Sequence, residues 1–416
     1  MVILFVAIFH ATLFLMSNLA KKLPKIPATV IVLGFVSFFN DLASDMVIPL
    51  IPLLLATELA AGPLMLGLIE GFADALASFL KLWSGRYSDR LGGRRKGLAL
   101  TGYLISNAVR PFFGAVSGWV GLLVLRSVDR LGKGIRSAPR DALVADVTPP
   151  QMRGVAFGFH RALDNAGAVG GALVAAAVIA WSTLSLREVI AWSALPGGIG
   201  VLLLWWLVKE PKIAARPLVA APSLRWNALS RTLQHYLLLL AWFTFARVSE
   251  TFIVLFGHNL GMSVVNLLLL WAMLNLAKSL ASWWGGKAAL RLGKERVMAV
   301  SWIAYAMTFV ALGLTTTPLM LWIATLVYGI FAGLGEGIER AVISDFAAPT
   351  ERGTAYGWYN MMLGLSAIPA GLAFGGLWQF FDASYAFFFA GFVALVAALV
   401  LHIYVAPNLK LVAALD

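Results

Sequence analysis

The sequence predicts an all-α membrane protein of twelve transmembrane helices, arranged as two pseudo-symmetric six-helix bundles. Three observations carry that reading. Of 416 residues, 60% are hydrophobic and only 12% charged, with 15 Trp and 26 Phe, and the mean hydropathy is +0.85, far from the composition of a soluble globule. Apolar runs of helical length recur along most of the chain, and a hydrocarbon layer about 30 Å thick takes roughly 20 such residues per crossing. The chain also repeats itself at an interval of about 200 residues. Exposed strand edges cannot sit in lipid, so the runs are helices.

The first six runs fall at 28–56, 62–82, 97–116, 118–138, 154–181 and 188–208. A polar stretch with Lys209, Lys212, Arg216, Arg225 and Arg231 and three prolines follows, a linker over 209–235. Six more runs lie near 236–257, 262–285, 296–314, 317–338, 354–378 and 384–406, with a short tail over 407–416. The predicted bundles are therefore 28–208 and 236–406. Residues 1–27 stay unassigned: their apolar stretch is followed by Lys21, Lys22 and Lys25, whereas a signal peptide carries its positive charge first.

Lysine and arginine concentrate in the even-numbered connections: Arg86 to Lys96, Arg136 to Arg153, the linker, Lys287 to Arg296, and Arg340 to Arg352. By the positive-inside rule these connections, and both ends of the twelve-helix body, are cytoplasmic. The net charge of +12 thus marks topology and not nucleic-acid binding. The absence of cysteine excludes disulfides and thiolate chemistry. There is no Walker loop, no Ser/His/Asp spacing and no zinc ligand set, so neither an enzyme nor a resident cofactor or metal is expected.

The repeat is visible at two places. Asp146, Arg153, Gly154, Ala156 and Gly158 recur 199 residues later as Asp345, Arg352, Gly353, Ala355 and Gly357. Gly85 to Lys96 aligns with Gly286 onward at an offset of 201, with Leu290 standing where Asp89 stands. Six crossings per copy is an even number, so the copies can be related by an axis along the membrane normal.

The loop Gly85-Arg86-Tyr87-Ser88-Asp89-Arg90-Leu91-Gly92-Gly93-Arg94-Arg95-Lys96 resembles the best-known cytoplasmic motif of the major facilitator superfamily, the twelve-helix secondary transporters. Asp45-Met46-Val47-Ile48-Pro49-Leu50-Ile51-Pro52 in the first run resembles the Pro-x-x-Pro pattern of the drug:proton antiporter branch. Arg126-Ser127-Val128-Asp129-Arg130 is similar to that branch's Arg-x-x-Gln-Gly element, although Asp129 and Arg130 depart from it, and Gly167 to Gly171 lacks the branch's Gly-Pro pair. The resemblance covers 28–406. It implies a latch on the cytoplasmic side built from Gly85, Asp89, Arg90, Gly92, Arg94, Arg95, Asp146 and Arg153, one-sided because of Leu290.

Ionisable groups in mid-membrane are costly and mark interior candidates. Asp41 and Asp45 lie one helical turn apart on one face of the first run, a pairing suited to holding a proton, and the resemblance implies, through the motif position of Arg126, that this arginine is the coupling residue. Cavity candidates are Glu70, Arg110, Arg130, His160, Arg161, Asp164, Arg247 and Glu250. For most of these arginines an ion pair with Asp129, Asp164 or Glu250 is the simpler reading, and His160 reads as a satisfied interior histidine. Lys278 is expected to snorkel toward the cytoplasmic edge. Lys133 and Arg136 in one copy and Glu336 and Glu339 in the other suggest a cytoplasmic gate.

The function expected from these residues and from the resemblance is proton-coupled export of a small organic compound, such as a drug, a metabolite or a siderophore-like molecule. The protein would sit as a monomer in the bacterial inner membrane and work by alternating access. A metal cation or an organic anion as cargo, and a non-transporting receptor or scaffold, stay open as rivals.

Overall fold

The computed structural model describes residue 12 and residues 26–90, 95–209, 226–347 and 352–405. Helices cover every one of the twelve predicted runs: α1 (Ala28–Asp45) with α2 (Ile51–Thr57), α3 (Pro63–Arg90), α4 (Lys96–Val109), α5 (Trp119–Val147), α6 (Arg153–Trp181), and α7 (Leu186–Trp192) with α8 (Ala194–Leu207). The second copy contains α9 (Arg231–Thr244) with α10 (Thr251–Asn259), α11 (Val264–Leu292), α12 (Lys294–Gly313), α13 (Pro318–Phe346), α14 (Arg352–Phe380) and α15 (Ala383–Val400). No strand occurs among the described residues.

Nine of the described helical segments are long and apolar enough to cross a bilayer. The other three runs are those of α4, α5 and the α9–α10 pair. Their polar or broken middles hold Arg110, Arg126, Asp129, Arg130, Arg247 and Glu250, so the same residues that lower their apolarity furnish the interior charge.

The repeat shows in the helix limits themselves. α5 and α13 begin and end 199 residues apart, and so do α6 and α14. One ion pair recurs at the same offset: Arg95 Nε lies 2.7 Å from Asp146 Oδ2, and Lys294 Nζ lies 2.7 Å from Asp345 Oδ2.

Several helices outrun the apolar stretches that announced them. α3, α5, α11 and α13 continue seven to nine residues past the predicted 82, 138, 285 and 338, because a helix that has left the hydrocarbon has no reason to unwind in water. α9 starts five residues before the predicted 236, where the Ser230 hydroxyl accepts from the Leu233 amide at 3.3 Å as an N-cap.

Three predicted helices are broken, the run 188–208 by no more than a turn at Ser193 between α7 and α8. α1 ends at Asp45 and gives way to a 3₁₀ turn over Ile48–Leu50; Pro49 has no amide hydrogen to return to the Asp45 carbonyl, which ends the ladder there. The third break spans 245–250, a stretch without proline or glycine, and its cause is tertiary, as described below.

Packing divides the chain into two compact units, Met1–Leu50 with Leu80–Val219 and Ile51–Phe79 with Ala220–Asp416. They differ from the two sequence copies in one respect: Ile51–Phe79 belongs with the second. In the first unit α1 lies along α6, where a Cβ on Gly167 or Gly171 would overlap the carbonyls of Phe38 and Leu42. In the second unit the first half of α3 packs backbone to backbone on α14. A Cβ on Gly67 would overlap the Gly371 carbonyl, and one on Gly71 would stand 2.6 Å from the Ala367 carbonyl oxygen.

Candidate functional site

The first unit buries two connected polar layers. In the upper one, Arg110 is fixed from three helices: its Nε donates to Asp129 Oδ1 at 2.9 Å and its Nη1 donates to the Asn40 carbonyl at 3.0 Å, to Asn40 Oδ1 at 3.1 Å and to Asn107 Oδ1 at 3.1 Å. Arg126 Nη1 lies 3.4 Å from the other Asp129 oxygen. All three charges are buried, so one carboxylate is shared by two guanidinium groups. A buried charge is tolerated in lipid or protein only when paired in this way.

The lower layer centres on Arg140. Its guanidinium donates to Asp141 through Nε at 2.9 Å and to Ser37 Oγ through Nη1 at 3.1 Å, and it approaches Asp164 Oδ1 at 3.8 Å. Ser37 Oγ also lies 3.0 Å from His160 Nε2 and 3.2 Å from the Tyr103 hydroxyl. Asp41, half-buried one helical turn from Ser37, accepts from Asn40 Nδ2 at 2.8 Å. Arg136, also buried, donates to Ser106 Oγ at 2.7 Å and lies over the Tyr103 ring at 4.7 Å.

The second unit is organised around rings. Phe243 stacks on Trp302 at 4.1 Å between centroids, and Tyr305 stacks on Phe309 at 4.7 Å with Tyr328 against both. Two ion pairs cross this aromatic core. Arg247 is bound to Glu339, whose Oε1 also accepts from Trp302 Nε1 at 3.2 Å. Lys278 Nζ lies 2.6 Å from Glu250 Oε1, which further accepts from the Tyr328 hydroxyl at 3.2 Å.

These pairs correct two expectations. Arg247 does not pair with Glu250 three residues on; each is drawn to a different helix, α13 and α11 respectively, and that opposed pull opens the backbone between α9 and α10. The Tyr305 hydroxyl reaches the Ala246 carbonyl there at 3.4 Å. Lys278 does not snorkel: it sits midway along α11 and spends its charge on Glu250.

The remaining predicted residues are placed as follows. Asp45, Glu70 and Arg130 are buried. Arg161 is exposed, with Asp164 Oδ2 at 3.6 Å from its Nη1. Gly85 lies where a Cβ would stand 3.3 Å from that of Ala138, Arg95 holds Asp146, and Arg153 is exposed. Lys133 is half-buried, and Glu339, expected to face Lys133 and Arg136, has its charge engaged by Arg247 within the second unit. Gly92 and Arg94 and the side chains of Asp89, Arg90 and Glu336 lie outside the described residues. Among the described residues no group of three His, Asp or Glu side chains gathers as a metal site would.

The residues that sequence reasoning missed are Ser37, Asn40, Tyr103, Asn107, Arg140, Tyr236, Trp302 and Tyr328. A signal for five of them was present. At the offset of 199, Ser37, Tyr103 and Arg140 correspond to Tyr236, Trp302 and Glu339, and the Tyr236 hydroxyl donates to the Glu339 carbonyl at 3.2 Å.

Comparison with known proteins agrees with this architecture. The chain is 28% identical over 378 residues to an uncharacterised MFS-type transporter of Methanocaldococcus jannaschii, covering 89% of this chain and 94% of the relative. It is 32% identical over 158 residues to the multidrug resistance protein MdtH of Cronobacter sakazakii, a match spanning 38% of this chain and 36% of that protein. The solved structure of the nucleoside transporter NupG superposes with a TM-score of 0.73 at 14% identity, covering 90% of this chain and 98% of that one, a likeness of fold. The profile of the Major Facilitator Superfamily matches residues 33–287 and 251–413, and the chain, an integral membrane protein, belongs to that family of transporters.

Proposed function

We propose that this protein is a proton-coupled secondary transporter that exports a small organic compound by alternating access. The observation that carries the reading is the set of carboxylates and guanidinium groups buried in the first unit, costly in a membrane interior and retained where apolar side chains would pack. Asp41 and Asp45 on α1 are the expected proton sites. Arg126, held against Asp129, supplies fixed positive charge behind them. The likeness to MdtH, named for multidrug resistance, supports export and an organic cargo. On this reading the protein acts as a monomer with both ends of its helical body in the cytoplasm, and the Arg95–Asp146 pair belongs to the cytoplasmic latch.

The test is proton movement into proteoliposomes challenged in turn with ethidium, adenosine and benzoate. At least one probe is expected to drive proton flux in the wild type, and Asp41→Asn to abolish it. A wild type that moves a probe with no proton movement would refute the coupling.

An organic anion as cargo is favoured by one observation: the direct contacts of the buried Arg136 guanidinium are the Ser106 hydroxyl and the Tyr103 ring, neutral groups, with no carboxylate in salt-bridge contact among the described residues. Under that reading benzoate is the active probe, and Arg136→Gln abolishes its transport.

A further inference from the structure

The buried and half-buried carboxylates of this protein are not equally satisfied. Asp129 receives a guanidinium on each oxygen, Glu339 takes Arg247 and Trp302, and Glu250 takes Lys278 and Tyr328. Asp164 is different. It is buried at 6% exposure, and its Oδ1 accepts no hydrogen bond from any described residue. Its two cations stand off, Arg140 at 3.8 Å and Arg161 at 3.6 Å, beyond normal hydrogen-bond reach.

Arg140 explains the distance. Its stronger bonds go to Asp141 at 2.9 and 2.8 Å, and a third goes to Ser37. Asp164 therefore holds only a weak share of a cation that already has another carboxylate. On α1, Asp41 stands one helical turn beyond Ser37, which Arg140 and His160 both contact, and between Phe38 and Leu42, whose carbonyls meet α6 at Gly167 and Gly171; Arg136 and Lys133 are the other charges near it. On α6 itself His160 and Arg161 complete the surroundings, and Tyr103 of α4 closes the layer through Ser37. Two carboxylates on two helices thus face one arginine, and one of them has an oxygen left open.

We infer that Asp41 and Asp164 form a single proton-binding pair bridging α1 and α6, with Arg140 as the counter-ion that competes with the proton. Asp41 thereby has its functional partner across the helix interface and not one turn along α1 at Asp45. The step is a proton transfer alone: hydronium from the aqueous phase gives its proton to the pair and leaves as water, an O–H bond forms on one carboxylate oxygen, and Arg140 stays protonated and paired with Asp141. Because α1 and α6 pack through Gly167 and Gly171, charge gained or lost between them acts on a tight helix pair.

The inference rests on the proton-coupled reading, and its test separates the two. Infrared difference spectra of the reconstituted protein, recorded against pH with no substrate present, report the carbonyl band of a protonated carboxyl group. The wild type should show one such titrating band. In Asp41→Asn and in Asp164→Asn the remaining acid titrates without its partner, and the midpoint should move by about one pH unit or more. Asp164→Glu, which keeps the acid, should return the midpoint toward the wild-type value and guards against loss of fold. A midpoint unmoved in Asp164→Asn, or a band that follows Asp45→Asn instead, would overturn the pairing while leaving proton coupling in place. A wild type with no titrating carboxyl band would overturn both.

Discussion

At an offset of 199 residues, Arg110 and Asp129 of the first copy correspond to Phe309 and Tyr328 of the second, and Asp41 and Asp164 correspond to Leu240 and Leu363. The first pair is an ion pair at 2.9 Å; its counterpart is an edge-to-face ring contact at 5.8 Å. The same place in the same fold is thus stabilised in two ways, one polar and one aromatic. Replacing a buried ion pair by well-packed apolar groups is often neutral or stabilising, and the second copy has made that replacement. Retention of the charges in the first copy is therefore hard to attribute to stability alone, and it points to chemistry performed there. The centres differ in sign as well: Arg140 stands in one and Glu339 in the other.

The largest effect should come from breaking the polar version on one side only. Arg110→Met removes the closer of the two guanidinium groups paired with Asp129, and thermal unfolding in detergent should show a loss of about 3–5 kcal/mol. Transplanting the second copy's solution, Arg110→Phe with Asp129→Tyr, should recover much of that loss; failure to recover any would mean that the two copies are not interchangeable in packing.

A smaller effect is expected where the second unit relies on backbone contact. Gly67→Leu drives a side chain into the Gly371 carbonyl, and overpacking of this kind costs about 1–3 kcal/mol, readable in the same melts. Smaller again, Glu339→Gln removes the charge partner of Arg247, whose side chain is 32% exposed, and should cost no more than about 2 kcal/mol. The double exchange of Arg247→Glu with Glu339→Arg should return part of it.

The smallest effect compares an ion pair that both copies keep. Lys294 and Asp345 are 37% and 28% exposed, so Lys294→Gln should change stability by about 0–1 kcal/mol. Arg95 and Asp146 are 9% and 6% exposed, and Arg95→Gln should cost clearly more. Equal effects would mean that burial does not govern this pair.

Much of the fold was legible because lipid imposes helix length and backbone satisfaction on the sequence directly. The twelve runs and the repeat follow from patterns of apolarity and charge. The site was less legible. Arg140 reads as a loop residue, since apolarity ends near 138, yet α5 continues to Val147 and carries that arginine to Ser37 and Asp164. The i,i+3 spacing of Arg247 and Glu250 suggests a local pair, but spacing along a helix says nothing about stronger partners on other helices. The partner of Asp41 was hidden for the same reason: Asp45 is near in sequence, whereas Asp164 is near only after α1 and α6 have packed.

The central claim is that proton chemistry belongs to the polar centre of the first copy and not to the ion pairs of the second. Substrate-driven proton flux in proteoliposomes, measured side by side for the wild type, Asp164→Asn and Glu339→Gln, tests it most directly. Flux should be lost in Asp164→Asn and retained in Glu339→Gln. Flux that survives in Asp164→Asn and vanishes in Glu339→Gln would contradict it.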